Sequence, residues 1–395
     1  MKVFIFSAFD GVPYSGEEPM RYAAIADEFL KNGHEVIYLT SAFSHIHKKF
    51  RKVSDTPERL KVILLSSKSY RSNFSIDRVL SYQRLSVSLS TWLSNLETSS
   101  LPDLIIGASP PLVPNYILAK FCKKRRIPFI YDIQDLWPEE FLKFSPLKTV
   151  LKFILKPYFT MAENIVRMAS AVIAVSSDYL DYYKTQVSDK PTAVFYLGTE
   201  TAKFEAVGQK HYPDQNFKKV ILLGNSQAGK YVMAAAKAIQ NIEGVKLTVA
   251  GLKEKSWDYR NKIKQQNLEN AEIISWLDKD KMYAMLPGFD AGLILLDPES
   301  KSAFPNRAFT YFAAGLPVLN TISGSELEKC IADNKLGITI KFADAQNIME
   351  GIKYCLDNFS VSEHKRIQKF AREQFARKII YADYYKFALK IINKE

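Results

Sequence analysis

Phe304-Pro-Asn-Arg-Ala-Phe-Thr-Tyr-Phe-Ala-Ala-Gly-Leu-Pro-Val-Leu-Asn-Thr-Ile-Ser-Gly324 reads as a loop, a short helix and a strand. Pro305 suits the first turn of a helix, where its missing N–H costs nothing, and Gly315 suits the position just past the helix end. The N–H groups at that helix start, with the helix dipole, make an anion site suited to a diphosphate. A ligand crevice is therefore expected beside residue 305.

Away from this segment, short β-branched runs alternate with helical patterns along the whole chain, the signature of parallel sheets with crossover helices. In the first half, strands are predicted at 2–9, 35–40, 60–65, 103–108, 128–133 and 171–175, and helices at 19–31, 77–95 and 112–123. The pattern restarts at 219–224 and continues through strands at 246–250, 272–276, 291–296, 318–321 and 338–341. Two doubly wound Rossmann-like units follow, in keeping with a chain of 395 residues. Residues 1–200 make the first domain, 201–375 the second, and 376–395 a terminal helix; the polar, aperiodic stretch 196–217 is the linker and 362–394 one long helical pattern.

Charged residues make up 24% and hydrophobic ones 47%, which places the chain among globular proteins. No apolar run approaches the roughly 20 residues that span a bilayer, and the amino terminus lacks a signal-peptide pattern, so a cytoplasmic location is expected. Cys122, Cys330 and Cys355 are isolated thiols, consistent with packing roles rather than a disulfide framework or zinc site. The net charge of +12 calls for an anionic partner. Between Lys48 and Arg84 there are ten basic residues against three acidic ones, and Leu147–Phe159 carries Lys148, Lys152 and Lys156 on one face of an otherwise apolar helical pattern. That segment is either a membrane-surface helix or a solvated face over a core. No recognition motif accompanies the charge, so nucleic acid is not expected as a partner.

Gly11-Val-Pro-Tyr-Ser-Gly16 follows the first strand and leads to a helix carrying Arg21, the place where a glycine loop approaches a ligand or simply turns. Its spacing is not the dinucleotide fingerprint. His34 lies just past Gly33, where it can bond the last carbonyls of the helix. Asp278-Lys-Asp280 sits in a charged turn and reads as a cap, and no metal site is expected.

Three segments resemble family-4 retaining glycosyltransferases: 304–324 with its Pro-Asn-Arg loop and Ala-Ala-Gly-x-Pro, Leu223-Gly-Asn-Ser-Gln-Ala-Gly-Lys230, and Pro128-Phe-Ile-Tyr-Asp-Ile-Gln-Asp-Leu-Trp-Pro-Glu139. The last is similar to the subgroup that assembles bacterial surface polysaccharides. The resemblance implies the GT-B architecture, two Rossmann-like domains facing a cleft, with acceptor on the first, nucleotide sugar on the second, and the terminal helix returning to the first. It implies that Asp132 and Asp135 act as catalytic carboxylates at a strand end, with Gln134, Trp137, Gly16 and Arg21 around the acceptor; Asp135 capping the next helix is the structural alternative. On the donor side it points to Pro305, Asn306, Arg307, Gly324, Ser325 and Glu326, to Asn225 where many members have Arg, and to Lys230 as a catalytic cation unless it is merely solvated. Thr310 and Ser302 stand where the family carries Glu. Thr310, in place of a Glu that holds both ribose hydroxyls, suits a dTDP-linked rather than a UDP-linked sugar.

The function so implied is transfer of a sugar from a nucleotide diphosphate to a saccharide linked to a polyprenyl diphosphate, in surface polysaccharide (capsule or O-antigen) biosynthesis. It needs no cofactor beyond the nucleotide-sugar substrate. The basic segments would hold the enzyme peripherally on the inner face of the plasma membrane, whose anionic lipids attract Lys and Arg. Two alternatives stay open: a catalytically inactive binding subunit, suggested by Thr310, Ser302 and Asn225 together, and a sugar-nucleotide 2-epimerase, which would need a cleft histidine.

Overall fold

The computed structural model describes residues 1–393 except 16–19, 54, 73–74, 144–146, 207–216, 225–227, 253–255, 275–277 and 298–303. The chain forms two compact units, Met1–Tyr196 with Tyr381–Glu395, and Leu197–Ile380.

Unit 1 holds strands β1 (Lys2–Phe6), β2 (Glu35–Ser41), β3 (Leu60–Leu65), β4 (Leu104–Ser109), β5 (Phe129–Ile133), β6 (Ala171–Ala174) and β7 (Thr192–Val194). They form one sheet in the order β3-β2-β1-β4-β5-β6-β7, every neighbouring pair parallel. Helices α1 (Arg21–Lys31), α2 (Ile76–Ser94), α3 (Leu112–Arg125), α4 (Glu139–Lys143), α5 (Lys148–Ile154), α6 (Lys156–Met168) and α7 (Ser177–Tyr182) cover it. With both faces covered, central strands are apolar throughout: Val3, Phe4, Ile5 and Phe6 are all buried. The sequence pattern misses β7, a three-residue edge strand too short to show a period.

Unit 2 repeats the plan with β8 (Lys218–Leu223), β9 (Val245–Ala250), β10 (Ala271–Ile274), β11 (Ala291–Ile294), β12 (Val318–Asn320) and β13 (Gly337–Thr339), in the order β10-β9-β8-β11-β12-β13. Its helices are α8 (Thr201–Ala206), α9 (Val232–Gln240), α10 (Ser256–Gln265), α11 (Lys279–Met285), α12 (Asn306–Ala313), α13 (Glu326–Asn334), α14 (Ala345–Asn358) and α15 (Val361–Phe375); α16 (Arg377–Asn393) begins here and ends in unit 1. In each sheet the chain winds outward one way and returns to the other side of the starting strand. The switch points are therefore β1/β4 and β8/β11, where ligands bind in such sheets.

Three local expectations differ. The linker contains α8, because Phe204 is buried against Tyr283, with ring centroids 5.0 Å apart. The pattern over 362–394 is two helices, interrupted where Thr199 N–H donates to Phe375 O (2.9 Å) and Arg377 N–H donates to Thr199 O (3.1 Å). Gly198 makes this bridge possible, since at φ +58° a Cβ would stand 2.6 Å from Phe375 O. The basic pattern 147–159 is also two helices, α5 and α6, turning at Leu155.

Candidate donor and acceptor sites

In unit 2, β8 ends at Leu223 and α12 follows β11, so the switch point lies between a strand end and a helix start. Pro305 is the N-cap of α12 rather than its first helical residue, with extended ψ of 130° and no side chain to cap with. Arg307 Nη1 donates to Leu223 O at 2.7 Å, tying the helix start to the end of β8. Burial lowers the Arg307 pKa, and among the described residues no carboxylate pairs with it. A desolvated cation beside the first N–H groups of a helix is a site that an anion would complete. Asn306 is exposed beside it. The helix stops as the sequence suggests: Gly315 sits at φ +81°, and a Cβ there would be 2.7 Å from His364 O.

Thr310, one turn along α12, donates its hydroxyl to Asn306 O at 3.3 Å. Only lone pairs remain for a ligand, so it can accept one hydrogen bond and cannot reproduce a bidentate carboxylate. Past β12, Gly324, Ser325 and Glu326 open α13. The Ser325 side chain accepts from Glu328 N (3.2 Å) and donates to Ile322 O (2.9 Å), and the Glu328 carboxylate accepts from Gly324 N–H (2.5 Å). This resembles a capping box, with Glu328 reaching the amide just before the cap, and it commits the Ser325 hydroxyl and the Gly324 amide to the helix rather than to a nucleotide. Asn225 and Ser302 lie outside the described residues, as does Gly16 in unit 1. Lys230 is described in its backbone, within the short turn Ala228–Tyr231 ahead of α9. Asp278 caps α11 through Lys281 N (2.8 Å), as its spacing suggests, while Asp280 pairs with Lys203 (2.6 Å).

In unit 1 the expected carboxylate pair separates. Asp132 is fully buried, with Arg21 Nε 3.1 Å from its Oδ2. Arg21 in turn donates to Tyr196 O at 3.1 Å and lies 5.4 Å from the Tyr384 ring centroid on α16. The expectation that Asp132 projects toward a ligand is corrected: with Arg21 it forms an internal ion pair that fastens α1, β5, the end of the unit 1 segment and α16. Asp135, two turn residues beyond β5, is exposed, and Gln134 and Trp137 are half-buried. The Trp137 ring packs on Phe141 with centroids 4.7 Å apart, and Arg78 lies 5.5 Å above it. Arg78 and Tyr82 were visible in the sequence only as part of a basic stretch and a helical pattern. Arg51, counted with that stretch, is buried and donates to Thr40 Oγ1 (2.6 Å) and to the carbonyls of Ser41 (3.1 Å) and Asp10 (2.5 Å), so it adds no surface charge.

The helix start at the unit 1 switch point is already filled. Asp10 accepts from the backbone N–H of Tyr22 and of Ala23 (3.2 Å), an internal anion of a kind that the described residues do not place at the start of α12. Burial raises the Asp10 pKa from 3.8 to about 6 against the opposing pull of those N–H groups. The folded state therefore binds more protons than the unfolded state between those values, and stability falls as pH rises from about 4 to about 6. Urea melts across this window should show a loss approaching about 3 kcal/mol in the native chain relative to Asp10→Asn, with no further change from this group above pH 6.

His34 takes part in packing: its Nε2 is 2.9 Å from the Tyr385 hydroxyl and its ring lies beside Phe29. His34 therefore gives the epimerase alternative no support.

Similar solved structures place the architecture. A sucrose-phosphate synthase (tll1590) from Thermosynechococcus elongatus is similar over 100% of both chains at 13% identity, with a TM-score of 0.74. Anabaena Alr3699/HepE in complex with UDP is similar over 98% of this chain and 99% of its own at 15% identity and a TM-score of 0.66. WaaG, a glycosyltransferase involved in lipopolysaccharide biosynthesis, is similar over 100% of both chains at 14% identity and a TM-score of 0.64. The fold is GT-B. Residues 204–374 match the family model of glycosyl transferases group 1. No curated protein sequence matches it. No described helix is long and apolar enough to cross a membrane.

Proposed function

We propose that the protein transfers a sugar from a nucleoside diphosphate donor to a saccharide carried on a polyprenyl diphosphate, keeping the donor's anomeric configuration, in surface polysaccharide assembly. The carrying observation is the uncapped start of α12 with Arg307 bound to the end of β8. Unit 2 would hold the donor, its diphosphate against the first turn of α12, Arg307 and Lys230, so that charge developing on the departing nucleotide meets oriented dipoles and cations. Asn225 and Ser302 complete the donor set by resemblance, and Thr310 receives the sugar-side ribose hydroxyl. Unit 1 would hold the acceptor, with Asp135 orienting its hydroxyl or taking its proton as it attacks the anomeric carbon on the leaving-group face. Support comes from HepE, whose complexes contain UDP and UDP-glucose, and from WaaG, a glycosyltransferase involved in lipopolysaccharide biosynthesis.

Thermal unfolding with UDP, dTDP, GDP and CMP tests the donor half. A ligand at a hundredfold its Kd adds about 2.7 kcal/mol to the native state. We expect dTDP to raise Tm most, because Thr310 offers a single acceptor. An equal UDP shift would discard the dTDP preference and keep the transferase, whereas an intact fold that responds to none would leave the inactive binding subunit.

A further inference from the structure

Unit 1 contains a cavity of about 620 Å³ lined by α2, the start of α3, Trp137 and Pro138 with α4, and side chains of α5 and α6. Its wall is apolar, including Val79, Leu112, Trp137, Phe141, Leu151 and Leu155, and among the lining residues Arg78 is the one charged side chain. Two of the enclosing helices also carry apolar side chains to the surface: Ile76, Val79 and Leu80 on α2, and Val150, Phe153 and Ile154 on α5 are all exposed. Lys148, Lys152 and Lys156 are exposed among them. Cations crowd the Arg78 side. Lys48 is pulled down by burial and by Arg78, and His45 falls to about 4 through burial and then Lys48, Arg78 and Arg51. Two neighbouring cations, Arg78 and Lys48, favour a doubly charged anion beside them, and a concave apolar cavity favours a chain over a folded partner's surface.

We propose that this cavity takes the prenyl chain of the lipid-linked acceptor, with its diphosphate against Arg78 and Lys48. The proposal rests on the transferase reading above and adds the lipid part of the acceptor to it. It also gives the exposed apolar residues of α2 and α5 a common purpose: they would sit in the headgroup region through which the chain enters.

The probe is geranylgeranyl diphosphate, titrated into the full-length chain by calorimetry, beside inorganic diphosphate and phosphatidylglycerol vesicles. Saturable binding is expected, with inorganic diphosphate far weaker. Arg78→Gln should weaken it about tenfold or more, the loss of a charge-assisted hydrogen bond. Gln83→Trp, which places an indole in the cavity from an exposed position, should weaken it comparably, with circular dichroism and Tm showing that both variants fold. Equal binding by the variants, or inorganic diphosphate binding as tightly, would overturn the proposal. So would vesicles that displace the probe and show the same sensitivity to both variants, since the occupant would then be bulk membrane lipid. A chain whose Tm rises with nucleotide but which ignores geranylgeranyl diphosphate would lose this proposal alone; one that ignores every nucleotide would lose the transferase reading.

Discussion

Replacing Arg21 with Ala is expected to destabilise unit 1 by about 3–5 kcal/mol, the range for removing one partner of a buried ion pair. The cost arises less from lost attraction than from what remains: Asp132 is fully buried on β5 and would stand as an uncompensated carboxylate. Arg21 also holds the Tyr196 carbonyl and faces the Tyr384 ring, so its loss loosens the attachment of α16 as well. The paired replacement Arg21→Met with Asp132→Leu should recover most of the loss, since both charges then leave the interior together. Denaturant melts of the two variants check this. A single variant as stable as the native chain, or a double variant no better than the single, would show that the pair is not what fastens these elements.

Asp135→Asn is expected to lower the transfer rate by about 10²–10⁴-fold, the contribution of a positioned general base or hydroxyl-orienting group. The expectation rests on the proposed acceptor role of Asp135. Of the two carboxylates at the end of β5, Asp132 is held inside by Arg21 and Asp135 is exposed. Nucleotide-induced stabilisation should be unchanged, because the groups proposed for the donor lie in unit 2. The acid limb of the pH–rate profile should vanish with the carboxylate. A variant with full activity would place the proton-accepting group elsewhere.

Much of the architecture was legible locally. The alternation of β-branched runs with helical spacing located every described strand but the three-residue β7, because buried parallel strands must be apolar on both faces and their crossover helices must be amphipathic. Gly315 ended α12 where expected, since a left-handed residue at a helix end is a local steric demand. The helix start at Pro305 was legible for the same reason, one residue out of register.

What the sequence alone determined, then, is the sum of its short-range rules: two doubly wound units, their helix caps, and the helix start beside Pro305. Tertiary structure decided everything that depends on partners far along the chain. Asp132 and Arg21 lie 111 residues apart, and nothing local distinguishes a carboxylate that will be paired from one that will face solvent. The helical pattern after 362 breaks at Ala376 only because Thr199 offers it a backbone partner, and Arg51 is internal only because Thr40, Ser41 and Asp10 surround it. The apolar cavity likewise exists because helices α2, α3, α4, α5 and α6 leave space between them, and space between elements has no sequence signature.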